Sequence, residues 1–220
     1  MERLSHTVKA VIFDMDGTLF DTERISSEAW VEAGCALGDP MPMSLIDSFR
    51  GKNDEGISQA MRTHFTREEQ IEKAWDVRYR HAMDLIDQNG VPVKAGLHEC
   101  LQALKDMGIR KCVATSSSRE RALKLCSMAA VDKEMEFILC GNEVTRGRPA
   151  PDMYQIACKK LSLPPAQCLV VEDSFNGVRS AFAAGCPVVM IPDMDPPDSE
   201  IRSMCHAVLE SLHELPGLLG

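Results

Sequence analysis

The sequence predicts an α/β fold, an open parallel sheet with helices on both faces, interrupted near its start by a separate helical insert. Three observations point there. Val8 to Phe13 is a short β-branched and aromatic run that stops at an acidic, Gly-containing turn, as a buried parallel strand does. From about Glu23 to Asp87 the chain turns rich in helix formers, with Ile71, Trp75, Tyr79, Met83 and Ile86 at helical spacing. After Gly90, runs of strand length alternate with helical patterns, and that alternation implies parallel pairing through helical crossovers. The expected bounds are residues 1–20 and 88–220 for the α/β core and 21–87 for the insert.

Each later element has its own signal. Leu97 to Met107 reads as a helix closed by Gly108, and Ile109 to Ala114 as a strand. Arg119 to Met128 follows as a helix, then Phe137 to Cys140 as a short strand. Pro151 to Leu161 is a helix with proline in its first turn. Cys168 to Val171 is a strand, Ser174 to Ala184 a helix closed by Gly185, and Pro187 to Ile191 the final strand. Pro192 to Asp198 reads as a surface loop. Within the insert, Trp75 and Tyr79 read as packing residues rather than as a stacking platform.

Composition narrows the function classes. The 220 residues carry a formal net charge of −9, which argues against nucleic acid as a partner because phosphate backbones want a basic face. An anionic small substrate would then need local positive charge, and a divalent cation is one source. The nine cysteines contain no C-x-x-C pair and do not cluster with the six histidines, so free thiols in a reducing, cytoplasmic setting are expected. The first residues are polar, and no apolar stretch approaches the length of a membrane span. Oligomeric state leaves no readable mark.

Open α/β sheets bind ligands beyond the carboxyl ends of their strands. Those positions here are Asp14 to Thr18, Thr115 to Ser118, Gly141 to Pro151 and Glu172 to Asn176. Asp14 and Asp16 stand two residues apart, and phosphoryl transfer to a carboxylate needs a nucleophile with a second acid beside it. An Asx-type turn closing the strand is the plainer alternative. A calcium loop fails, since Gly17 falls fourth in the run where the EF-hand places glycine sixth. Glu172 and Asp173 end another strand, and carboxylates crowded near a phosphate call for a cation. Hard oxygen donors favour Mg²⁺, with Asp14, Asp173 and the main-chain oxygen of Asp16 as ligands and Glu172 behind them. A favourable acidic helix start is the other reading of Glu172-Asp173. Thr115, with Ser116 and Ser117 behind it, offers a hydroxyl and backbone N–H groups at a helix start, where ordinary capping also favours such residues. Arg148, in a loop stiffened by prolines, supplies a cation for phosphoryl oxygens.

In this order and spacing the four segments resemble the motifs of the haloacid-dehalogenase-like superfamily of phosphohydrolases. Asp14-Met15-Asp16-Gly17-Thr18 is similar to its first motif, Thr115 to its second, Arg148-Pro149-Ala150-Pro151-Asp152 to its third, and Glu172-Asp173-Ser174-Phe175-Asn176-Gly177 to its fourth. The resemblance implies Asp14 as nucleophile, Asp16 as general acid/base, Thr115 and the third-motif cation on phosphate, and Mg²⁺ held by Asp14, Asp16 and Asp173. It also implies a Rossmann-like core with a four-helix cap, here the insert, and points to the β-phosphoglucomutase-like branch, which includes sugar-phosphate phosphatases and pseudouridine-5′-phosphatase. The substrate would be a small phosphate ester. Two departures stand out. Arg148 occupies the usual Lys position, keeping the charge on a planar fork. Mutases of the branch pair a cap His with a cap Arg, where this chain has Ser26 and Asp54, which favours hydrolysis over the mutase alternative. Arg50 and Lys52 are candidate substrate contacts from the cap. A phospho-accepting receiver domain is a third alternative, but receivers lack the insert.

Overall fold

In the computed structural model, which describes residues 8–49, 52 and 54–220, the chain falls into two compact units, Asp21–Pro92 and the remainder on either side of it. Strand β1 (Ala10–Phe13) leads into helices α1 (Thr22–Ala36), α2 (Met43–Asp47), α3 (Asp54–Met61) and α4 (Glu68–Asn89). There follow α5 (Leu97–Asp106), β2 (Arg110–Ala114), α6 (Arg119–Met128), β3 (Ile138–Leu139), α7 (Asp152–Leu161), β4 (Cys168–Glu172) and α8 (Phe175–Ala183). The chain closes with β5 (Val188–Met190), α9 (Ser199–Met204), β6 (Ala207–Val208) and α10 (Leu215–Leu219).

All six strands run parallel in the order β3-β2-β1-β4-β5-β6, the doubly wound Rossmann arrangement. The winding direction reverses between β1 and β4, so the crevice at the carboxyl end of that pair is the expected ligand site. Every residue of β1 is fully buried, because a central strand has helices on both faces. Alternation sends Ala10 and Ile12 into a cluster with Tyr154 and Ala157 of α7, Val178 and Ala181 of α8, and Ile201 of α9. Cys112, Cys158 and Cys168 pack there as small apolar side chains. Such burial contributes about 1.5–3 kcal/mol for each large aliphatic or aromatic side chain.

Beyond β1 the backbone closes a tight loop, with the N–H groups of Leu19 and Phe20 donating to Met15 O and that of Gly17 to Phe20 O. Phe20 then pairs antiparallel with Val93, and Lys94 N–H donates to Leu19 O. The chain thus leaves and re-enters the sheet unit at adjacent points.

The helical unit has its own core of Trp30, Ala33, Ile46, Phe49, Met61, Phe65, Ile71 and Ala74. Trp30 meets Phe49 and Trp75 edge-on, at centroid separations of 5.1 and 4.8 Å. Tyr79, by contrast, is exposed. Its phenol is amphipathic and tolerates water. Helix α4 continues to Asn89 and the unit to Pro92, where 87 was the expected limit.

The expectation that Pro187 to Ile191 ends the sheet is corrected, since β6 adds a sixth strand beside β5. Its two residues stand directly after polar His206, too short a run to show alternation. No helix among the described residues is long and apolar enough to cross a membrane.

Candidate functional site

Register assembles the site. Phe13 lies level with Val113 of β2 and Val171 of β4, so Asp14 comes level with Ala114 on one side and Glu172 on the other. Asp14 N–H still donates to Val171 O at 3.0 Å, holding the residue on the strand axis. Its carboxylate is buried together with that of Glu172, and Asp173 completes the group. One carboxylate oxygen from each of Asp14, Glu172 and Asp173 lies within 4.8 Å of the other two.

Arg148 is the cation threaded among these acids. Its Nη2 donates to Asp14 Oδ1 at 2.6 Å and to Ala114 O at 2.7 Å, while Nη1 lies 2.7 Å from Glu172 Oε1. The guanidinium also sits 5.5 Å from the centroid of the Tyr154 ring. Glu172 is fixed further by the Tyr154 hydroxyl, by Ser174 N–H at 3.2 Å and by Ser174 Oγ at 3.0 Å. Burial pushes the Asp14 carboxyl up to about 7, with Arg148 pulling it down and Glu172 pushing it up. Further positive charge at this point would favour the ionised form that a nucleophile needs.

Two glycines make the packing possible. Gly17 has φ +81°, and a Cβ there would stand 2.2 Å from Asp173 Oδ2. A Cβ on Gly177 would fall 1.9 Å from the carboxyl carbon of Glu172. Thr18 Oγ1 donates to Asp173 Oδ1 at 3.1 Å, so the first and fourth segments interlock.

Thr115, buried at the end of β2, accepts the Ser117 N–H on its hydroxyl at 3.1 Å, which folds the turn at the start of α6. Ser116 is exposed on that turn. Asp16 takes a different position from the three clustered acids. Arg121 Nη1 donates to its Oδ2 at 2.7 Å, Arg121 Nη2 to its Oδ1 at 2.6 Å, and Ser117 Oγ to Oδ2 at 2.8 Å. The structure therefore brings Asp14, Asp16, Thr115, Arg148, Glu172 and Asp173 to one sheet edge. Arg50 lies outside the described residues, and Lys52 is exposed in the helical unit. Ser26 of that unit accepts from Arg78 Nη2 at 2.8 Å.

Arg121 and Tyr154 are the partners that sequence reasoning did not single out, while Ser174 stood in the fourth motif with no role assigned to it. Arg121 left one trace, since two arginines in the first turn of α6 have the wrong sign for the positive end of a helix dipole. Tyr154 left none, because an aromatic residue on a helix face reads as core.

Three buried or half-buried carboxylates against one guanidinium leave an excess of negative charge. Their donors are all oxygen, the set a hard divalent cation takes, and Mg²⁺ fits them.

Residues 8–185 match the family model for haloacid dehalogenase-like hydrolases. The chain is similar to the protein CbbY of Rhodobacter capsulatus, at 33% identity with 95% of this chain and 99% of that one covered. It is similar also to a probable pseudouridine-5′-phosphatase of Drosophila melanogaster, at 32% identity over 83% of this chain and 80% of the other. Among solved structures, CbbY of Rhodobacter sphaeroides in complex with xylulose-(1,5)bisphosphate superposes with a TM-score of 0.81, at 26% identity, covering 97% of this chain and 100% of that one.

Proposed function

Because the chain belongs to the haloacid dehalogenase-like hydrolases, we propose that it hydrolyses a small phosphate ester, of sugar-phosphate or nucleoside-monophosphate type, through a phospho-aspartate on Asp14. The observation that carries this reading is the buried Asp14 carboxylate, aligned by Arg148 beside two further acids at the sheet's switch point. Relatives named as phosphatases support the reaction class, phosphoric monoester hydrolysis. The substrate class rests on relatives whose names specify phosphorylated carbohydrates or pseudouridine 5′-phosphate.

The reaction runs in two steps. An Asp14 oxygen attacks phosphorus, the ester P–O bond breaks, and the departing alkoxide takes a proton from Asp16. Water then attacks the phosphorus of the aspartyl phosphate, Asp16 accepts its proton, and Asp14 is released with inorganic phosphate. Arg148 orients Asp14 and neutralises charge on the phosphoryl oxygens. Its Nε–H is buried without an acceptor among the described residues, which leaves a donor for an anion. Thr115 and the N–H groups following it receive the phosphate at the start of α6. Mg²⁺, held by Asp14, Asp173 and the main-chain oxygen of Asp16 with Glu172 behind, would offset the negative charge gathered when phosphate meets these acids.

The test is Asp14→Asn with p-nitrophenyl phosphate in the presence of Mg²⁺. We expect loss of at least a thousandfold in kcat, as removal of a covalent nucleophile does, and retained turnover refutes the assignment. A panel of hexose phosphates, pentose phosphates and nucleoside monophosphates then ranks substrates by kcat/KM.

A further inference from the structure

One strong ion pair at the site uses a cation that none of the four motifs supplies. The Nη1 and Nη2 nitrogens of Arg121 meet the two carboxylate oxygens of Asp16, at 2.7 and 2.6 Å, in the parallel fork that gives such pairs their directionality. Ser117 joins them, donating its hydroxyl to Asp16 Oδ2 while accepting from Arg121. The pair is poorly exposed, with side-chain accessibilities of 12% for Arg121 and 20% for Asp16. We infer that Arg121 is the positioning residue of Asp16, fixing both oxygens of the acid/base from α6 and holding it apart from the nucleophile's acidic cluster.

Three features of this chain support that role. Arg121 is the third residue of α6 after the Ser118 cap, where a cation opposes the helix dipole, so its placement is explained by the anion it faces rather than by the helix it occupies. Asp16 sits on the loop after β1 immediately before Gly17, whose positive φ turns the backbone, and a short side chain there is oriented mainly by what binds its oxygens. Asp14, Glu172 and Asp173 already crowd one point. A fourth carboxylate drawn into that group would be repelled and removed from the leaving-group side, whereas the fork from α6 keeps it separate. Arg121 touches neither phosphorus nor water in this scheme. It acts through Asp16.

The inference rests on Asp16 being the acid/base, so the experiment is a double-mutant cycle of Arg121→Met and Asp16→Asn, read as kcat and KM for p-nitrophenyl phosphate. Misplacing a general acid/base should lower kcat about ten- to a hundredfold in Arg121→Met with KM changed less than about threefold. In the Asp16→Asn background the same change should cost less than about twofold. Arg121→Lys should recover part of the loss, and added guanidinium ion should raise kcat of Arg121→Ala, neither of which a purely structural tie predicts. If Arg121→Met does not fold, these two variants carry the same comparison. An unchanged kcat in Arg121→Met alongside an impaired Asp16→Asn overturns the role of Arg121 alone. An equal loss in the Asp16→Asn background does the same, because Arg121 would then act elsewhere. Wild-type kcat in Asp16→Asn removes the acid/base reading itself and this inference with it.

Discussion

Gly177→Ala isolates the packing of Glu172, because helix propensity and site geometry predict opposite signs. Gly177 lies inside α8, where Gly→Ala ordinarily gains about 1 kcal/mol. Here the new methyl carbon would stand 1.9 Å from the carboxyl carbon of Glu172 and 1.9 and 2.1 Å from its oxygens. Glu172 has nowhere to retreat, being fully buried and tied to Arg148, Tyr154 and Ser174. Moving it separates a buried ion pair, a change that costs about 3–5 kcal/mol. Subtracting the propensity gain leaves about 2–4 kcal/mol of net destabilisation, or a fall of about 4–16 °C in Tm for a chain of this size. Gly217→Ala in α10 is the control, since no atom lies within 4 Å of its added carbon, and it should leave Tm unchanged or slightly raised. Thermal melting by circular dichroism, with kcat on p-nitrophenyl phosphate alongside, reads both. A Gly177→Ala protein that melts at or above the wild type and turns over normally would show that Glu172 is not held as described.

Other outcomes follow from the site and from an ion-pair cluster elsewhere in the sheet unit. Arg148→Met strips the shared cation from Asp14 and Glu172 and should destabilise by about 3–5 kcal/mol in urea titration, with kcat reduced at least a hundredfold. Chelation with EDTA should abolish turnover, and Mg²⁺ added back should raise the Tm of the wild type but not of Asp173→Asn, as preferential binding to the folded state requires. For pH, the Glu134 carboxyl is held below its usual value of 4.5, first by its hydrogen bond from Lys111 and then by that from Lys105. A depressed folded pKa means that this contribution is present above pH 4.5 and lost as pH falls through the folded value. Glu134→Gln should therefore flatten the acid limb of a Tm-against-pH curve, and an unchanged limb would exclude the pair as a contributor.

What the sequence disclosed and what it hid have separate physical causes. Strand β1 and the acids after it were legible because a buried parallel strand is a continuous apolar run and its carboxyl end is where such sheets bind ligands. The positions of Asp14, Thr115, Arg148 and Glu172 relative to one another depended on strand order and register, which no local pattern encodes, and their motif spacing supplied it only through resemblance. Tyr154 stayed invisible because its part is a hydrogen bond to Glu172 that exists only once α7 and β4 are docked. Strand β6 was lost for a different reason: at two residues it spans a single period of the alternation that identifies a strand, and one period shows no repeat. Arg121 falls between these cases. Its charge was readable as misplaced at the start of α6, yet a misplaced charge names no partner. Only the fold, by bringing Asp16 to that helix across 105 residues of sequence, turns an unfavourable local choice into a favourable pair. A local conflict that the sequence cannot resolve is thus a pointer to the site, and in this chain it points to the residue paired with Asp16.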